Sequence, residues 1–218
     1  MVRSNVLEAL ASARQIANHA ESLGVAVDPA PRRCTADHLG AVLADAILQA
    51  GLNYRTVVKP RVSRIESKFP CSARISGVMA IIDAGILSNF LLWSHPEKLN
   101  RFVGLSNIIY RNGVDESSEF AEWISGSSAR DQVLSISGIG PKTFDYLCCL
   151  VGLDRIPVDR HIKGFVGEAG VFVSGYENIQ EVVSYAADLL GLSRRDFDAW
   201  IWRYRVSSAD QTPQYQLF

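Results

Sequence analysis

Lys142 and Asp159 are the two residues whose type and surroundings suit covalent chemistry at an electrophilic carbon. Lys142 follows the run Ser137-Gly138-Ile139-Gly140-Pro141. Glycines at 138 and 140 permit a tight turn with left-handed backbone angles and leave no side chain between the chain and a ligand. Pro141 suits the first position of a helix, where its missing N–H costs nothing. Turn amides followed by a helix N-terminus make an anion site the size of one phosphate. Contacts of that kind hold a protein on a nucleic-acid backbone without reading sequence, so Gly138, Ile139, Gly140 and Thr143 are candidate backbone-binding residues. A Gly-x-Gly-Pro turn also joins helices in proteins that bind nothing. Lys142 falls in the first turn of the new helix, where a cation opposes the helix dipole. A lysine there is either an ordinary surface residue or an amine placed for nucleophilic attack.

Asp159 stands in Ile156-Pro157-Val158-Asp159-Arg160-His161-Ile162. An aspartate before a helix is a good N-cap. The same carboxylate can stabilise a developing positive charge or activate a nucleophile. The two duties are compatible, because capping holds the group in place.

The elements that must carry these residues read as helices, with few signs of strand alternation. Asn5 to Leu23 has an apolar stripe of Val6, Leu10, Ala13, Ala17 and Ala20, stopped by Gly24. Val25 to Cys34, with Pro29 and Pro31, is a connector. Thr35 is the expected N-cap of a helix from Ala36 to Ala50, ended by Gly51. That helix is apolar on more than one face and belongs in the core. Pro60 should begin or kink the next helix. Further helices fit 75–86, 95–112, 117–124, 130–136, 141–151, 158–168, 179–190 and 194–204.

The chain has 218 residues, 48% of them apolar, enough for a core without staples. No apolar run reaches the length of a membrane span, and Met1-Val-Arg-Ser-Asn5 has no secretory h-region. The expectation is a protein of the cytoplasm, at the bacterial nucleoid or in the nucleus of a eukaryote. The four cysteines, Cys34, Cys71, Cys148 and Cys149, form no zinc-spaced cluster, and Cys148 and Cys149 read as buried thiols. The net charge of −1 counts mildly against nucleic acid as a partner. Locally, however, Arg55, Lys59, Arg61, Arg64, Lys68 and Arg74 face only Glu66. Such a run is either a solvated helix face or a phosphate-facing surface.

Taken together, Gly138-Ile-Gly140-Pro-Lys142-Thr and Pro157-Val-Asp159-Arg-His161-Ile resemble the signature of the helix-hairpin-helix (HhH-GPD) DNA glycosylase superfamily. The motif covers about Arg130 to Phe165, with a softer similarity over most of the chain. The resemblance implies an all-α fold of two helical lobes with a DNA-binding cleft between them: residues 37–153, ending in the hairpin, and residues 1–36 plus 154–218, carrying Asp159. It implies a base-excision-repair glycosylase of the lysine-bearing, bifunctional type. In that chemistry the damaged, modified or mismatched base of double-stranded DNA is flipped out. Lys142 then attacks the sugar, Asp159 assists, and the Schiff base allows β-elimination. A monofunctional glycosylase and a non-catalytic DNA-binding module are the rival readings. A monomer without membrane association is expected.

The motif is close to both the 8-oxoguanine glycosylase and endonuclease III branches. The stretch Trp200-Ile-Trp202-Arg-Tyr204 and the residues after it lack cysteine, so no iron–sulfur cluster is expected. A monovalent cation at the hairpin is the one further cofactor the resemblance leaves open. In the family the turn after the core helix inserts a polar side chain into the gap left by the flipped base, which points to Gln49 or Asn53; turn-forming polarity explains them as well. His161 could contact DNA, orient Asp159 or pack its helix. Trp200, Trp202 and Tyr204 could stack a base or belong to the core.

Overall fold

A computed structural model describes residues 2–25 and 37–210. These are all-α. In order they form α1 (Val2–Ser22), α2 (Leu39–Leu48), α3 (Lys59–Lys68), α4 (Ile75–Asp83), α5 (Leu87–Leu91), α6 (Pro96–Arg111), α7 (Ser117–Ser125), α8 (Ser127–Leu134), α9 (Pro141–Leu150), α10 (Arg160–Glu168), α11 (Tyr176–Leu189) and α12 (Arg194–Asp210). A π-helical turn, Tyr54–Val58, leads into α3, and a 3-10 turn, Pro70–Ala73, separates α3 from α4. No strand occurs among the described residues. The chain divides into two compact units, Arg33–Leu153, and Met1–Arg32 with Asp154–Phe218.

In the first of these units α2 is the central rod. All ten of its residues are buried, and α3, α6 and α9 pack around it. This is what an all-round apolar helix must do to remove its surface from water. Phe90, Phe102 and Phe120 fill the space around it. The helix starts at Leu39 rather than Ala36, because His38 caps it: Ala41 N donates to His38 Nδ1 at 3.2 Å. Thr35 and Cys34 lie outside the described residues, as do Pro29 and Pro31. Pro60 sits in the first turn of α3, where a proline begins a helix without losing a bond.

Helix α5 was not foreseen; five residues are too few to display a helical period. It ends at Leu92, held at a left-handed φ of 45°. Two arginines of the basic run satisfy its end. Arg64 donates to the carbonyls of Asn89 (3.1 Å) and Phe90 (3.2 Å), and Arg61 Nε donates to Leu92 O (3.2 Å). Cations near a helix C-terminus complement its dipole and its unpaired carbonyls.

The other unit is built on α1 against α11 and α10 against α12. Ala13, Ala17 and Ala20 are buried with Ile16, facing a core that includes Val183, Ala186 and Ala187. Small side chains let two helices approach closely. Val6 and Leu10, expected on the same buried stripe, are exposed at 42% and 41%, so the buried stripe runs only from Ala13 onward. Phe165 meets Phe197, Trp200 and Tyr204 edge-on, and Trp200 stacks on Tyr204 at 6° between planes. These aromatics hold α12 onto α10, which answers for two of the three residues considered as base-stacking candidates. Trp202 is half-buried.

Candidate functional site

The hairpin lies between α8 and α9. Gly138 takes φ of +82°, a conformation that costs an L-residue about 1–2 kcal/mol. Ile139 N donates to Ile136 O (3.0 Å), closing the turn. The Ile139 side chain is buried in the core. Its amide and side chain are therefore both committed within the fold. Gly140 is the N-cap of α9 with no side-chain cap, and Pro141 occupies the first turn. Thr143 N and Phe144 N both donate to Gly140 O, at 3.0 and 3.1 Å. Among the described residues the amides of Gly138, Gly140 and Lys142 take no backbone acceptor. Three donors at the positive end of a helix are what an anion site requires.

A feature not read from the sequence stands beside this turn. Arg101 of α6 donates from Nε to Ser137 O (3.3 Å) and pairs with Glu97 through Nη2 (3.3 Å). A β-carbon on Gly138 would collide with the Arg101 guanidinium. A positive group thus lies against the hairpin.

Lys142 is half-buried in the first turn of α9. Its amine makes no hydrogen bond or ion pair among the described residues. The helix behind it is anchored by a buried carboxylate: Asp45 of α2, 1% exposed, accepts from Tyr146 Oη (3.0 Å) on α9 and from Tyr54 Oη (3.2 Å) in the π-helical turn. Asp145, one turn beyond Lys142, is also buried. Asp45 was detectable in principle, since a lone carboxylate in an otherwise apolar helix must be paired.

The turn after α2 holds the two candidate inserting residues. Asn53 is exposed, but its Oδ1 accepts from Thr56 N (3.0 Å) and caps the π-helical turn. Gln49 is the half-buried C-cap of α2, its backbone N–H bonded to Asp45 O (3.0 Å), and its side chain has no partner among the described residues. Of the two, Gln49 has the uncommitted side chain. The turn is held from beneath by Lys98 of α6, which is buried and donates to Ile47 O (2.8 Å), Leu48 O (3.2 Å) and Ala50 O (2.8 Å). Burial, and then the neighbouring Arg101 charge, hold the Lys98 ammonium below the usual lysine range. Its position on the stripe Lys98, Phe102, Leu105, Ile109 was the visible signal.

The basic run separates into two kinds of residue. Arg61 and Arg64 bond backbone carbonyls, as described, and Arg74 pairs with Asp115 and Glu116. These three are taken by the fold. Arg55, Lys59 and Lys68 are exposed, with no ion pair among the described residues.

In the other unit, Asp159 caps α10. Its Oδ1 accepts from His161 N (2.7 Å) and Ile162 N (3.0 Å). Its Oδ2 has no hydrogen-bond partner among the described residues. Tyr176 Oη accepts from Val158 N (3.2 Å), and Gln180 donates to Ile156 O (2.8 Å), so the strap before the cap is fixed to α11. The His161 ring is half-buried, and Arg160 Nε donates to its Nε2 at 3.4 Å.

Among the described residues no group of three or more His, Cys, Asp or Glu is placed to hold a metal ion, and no helix is long and apolar enough to cross a membrane. Residues 105–206 are similar to a domain family of unknown function (DUF8548). That span is under half the chain and includes both Lys142 and Asp159. No curated protein and no solved structure matches the chain.

Proposed function

We propose that the protein is a base-excision DNA glycosylase with an associated abasic-site lyase activity. The observation that carries this reading is the condition of two side chains. The Lys142 amine stands behind an uncapped glycine turn without a counter-ion among the described residues, and Asp159 gives one oxygen to its helix and keeps the other open. A structural cap needs only the first oxygen; a carboxylate acting on substrate needs the second. The amides of Gly138, Gly140 and Lys142 take a phosphate of double-stranded DNA, Arg55, Lys59 and Lys68 add charge, and Gln49 enters the space of the flipped nucleotide.

In the reaction the Lys142 nitrogen bonds to C1′ while the C1′–base bond breaks and its electron pair leaves with the base, which gains a proton. Asp159 offsets the positive charge on the sugar and accepts the proton released by the attacking amine. The proton that Asp159 took from the amine passes to O4′ as the ring opens to an iminium. Asp159, again a carboxylate, then takes a C2′ proton as the C3′–O bond breaks and its electron pair leaves with the 3′ phosphate, and water hydrolyses the iminium to release the Lys142 amine.

Borohydride reduction on a duplex with a single abasic site tests this. The wild type forms a covalent adduct, and Lys142→Gln forms none. Base release without an adduct would establish a monofunctional enzyme. Absence of both adduct and base release, over oxidised, alkylated, mismatched and modified bases, would leave a binding module.

A further inference from the structure

We infer that Lys98 and Arg101, one turn apart on α6, are positioning residues that hold the two DNA-facing turns, Gln49–Asn53 and Ser137–Gly140, at a fixed separation. The inference rests on the glycosylase reading for what the turns face, and on the fold of one unit for everything else. Positions three apart lie on the same helix face. From that face each side chain reaches one turn and ends on its main chain. Lys98 has three N–H groups and gives them to three carbonyls at and after the end of α2. Arg101 gives Nε to the carbonyl of Ser137 and lies against Gly138, where an added β-carbon would displace its guanidinium. Bonds to backbone set the path of a turn whatever its side chains are.

An ordinary end for α2 would not need this arrangement. Its last carbonyls could bond water or the amides of a glycine cap, and Gly51, at φ +77°, already supplies the turn. A buried ammonium is a costly substitute for water, and the Arg101 charge one turn away adds to its cost. What the pair supplies beyond satisfied carbonyls is a rigid brace, because both clamps spring from the same turn of α6, itself packed on α2 and α8. Catalysis by Lys142 depends on such placement: an amine displaced by about 1 Å from a reacting carbon can lose about a hundredfold in rate.

Lys98→Met and Arg101→Met test the brace in the full chain, with Arg101→Lys as a third variant. Amide hydrogen exchange in the free protein should rise at least about tenfold in residues 49–53 for Lys98→Met and in residues 137–142 for Arg101→Met. Single-turnover borohydride trapping on abasic duplex, at saturating DNA, should fall on the order of ten- to a hundredfold in both. Arg101→Lys should not restore it, since an ammonium lacks the guanidinium fork. The slope of log affinity against log salt should stay that of the wild type. Unchanged exchange at the two turns would refute the clamps. Raised exchange with wild-type trapping would reduce both residues to structure alone, and a slope shallower by about one unit in Arg101→Met would make Arg101 a phosphate ligand instead. If Lys98→Met does not fold, the part-exposed Arg101 variants carry the same comparison. A wild type that binds abasic duplex but traps nothing defeats the lyase chemistry; the brace is then judged on duplex affinity, which must fall in the variants for it to stand.

Discussion

Oδ1 of Asp159 caps α10, and the proposed glycosylase chemistry falls to Oδ2, so substitution can separate the two. Asn caps a helix nearly as well as Asp. Asp159→Asn should therefore keep its melting temperature and its DNA affinity while base release falls by about 10²–10⁴-fold. Asp159→Ala should lose activity and, in addition, about 1 kcal/mol of stability in urea titrations. Excision at the wild-type rate in Asp159→Asn would leave the residue a cap and nothing more. Asp45 works differently, because its acceptor role lies in the core. Asp45→Ala removes the two hydrogen bonds that tie Tyr54 and Tyr146 to α2, a loss of about 1–3 kcal/mol at about 0.5–1.5 kcal/mol each. Thermal unfolding should register that loss; no change would mean that the hydroxyls find other acceptors at no cost.

At the scale of elements, helix ends do most of the specific work. The junction between α4 and α7 is a case. Asp115 Oδ1 accepts from Ser76 N (2.7 Å) at the start of α4, and Glu119 Oε2 accepts from the amides of Asp115 (2.7 Å) and Glu116 (3.0 Å) at the start of α7. The Ser76 amide holds the Asp115 carboxyl below its ordinary 3.8, and the Asp115 and Glu116 amides hold Glu119 below its ordinary 4.5. Both groups are more acidic folded than unfolded, so their contribution is complete above these ordinary values and is lost as pH falls through the folded ones. The urea midpoint should drop below about pH 4.5, and the drop should shrink in a double variant carrying Asp115→Asn and Glu119→Gln. An identical acid profile in that variant would place the acid sensitivity elsewhere. The hairpin offers a second test. Gly138→Ala forces a side chain into a left-handed turn at about 1–2 kcal/mol and displaces Arg101. It should weaken trapping through the hairpin while Gln49–Asn53 keeps its exchange protection.

Over the whole molecule, the net charge of −1 gives no general attractive field, so the proposed glycosylase would hold DNA through local charges. Three arginines of the basic run are bound within the fold, and Arg55, Lys59, Lys68 and Lys142 are what remain from the residues considered. With Lys142 reserved for the sugar, duplex affinity should therefore fall with salt at a log–log slope of about −3, as expected for roughly three phosphate contacts. A slope near −10 would require a basic surface quite different from this one.

Much of this protein was written in local signals. Gly138, Gly140 and Pro141 define a turn and the start of α9 because each restricts or frees the backbone at its own position. Asp159 precedes its helix as a cap, and the apolar pattern of 39–48 marks α2 for the core. Such features depend on residues within a few positions of one another, and the sequence alone determined them, together with the all-α class. Other features are set by partners distant in the chain. Arg64 meets Asn89 across 25 positions, Lys98 meets Ala50 across 48, and Tyr146 meets Asp45 across 101. A basic run reads the same whether its guanidiniums face phosphate or cap α5, and a lysine on an apolar stripe does not announce which carbonyls it will bond. Only the tertiary structure decided that Arg61 and Arg64 serve the fold, that Asn53 is a cap while Gln49 is uncommitted, and that Lys98 and Arg101 brace the two turns. The physical reason is reach: a long charged side chain bonds whatever packing brings within several ångströms, and packing joins segments whose separation along the chain carries no local trace.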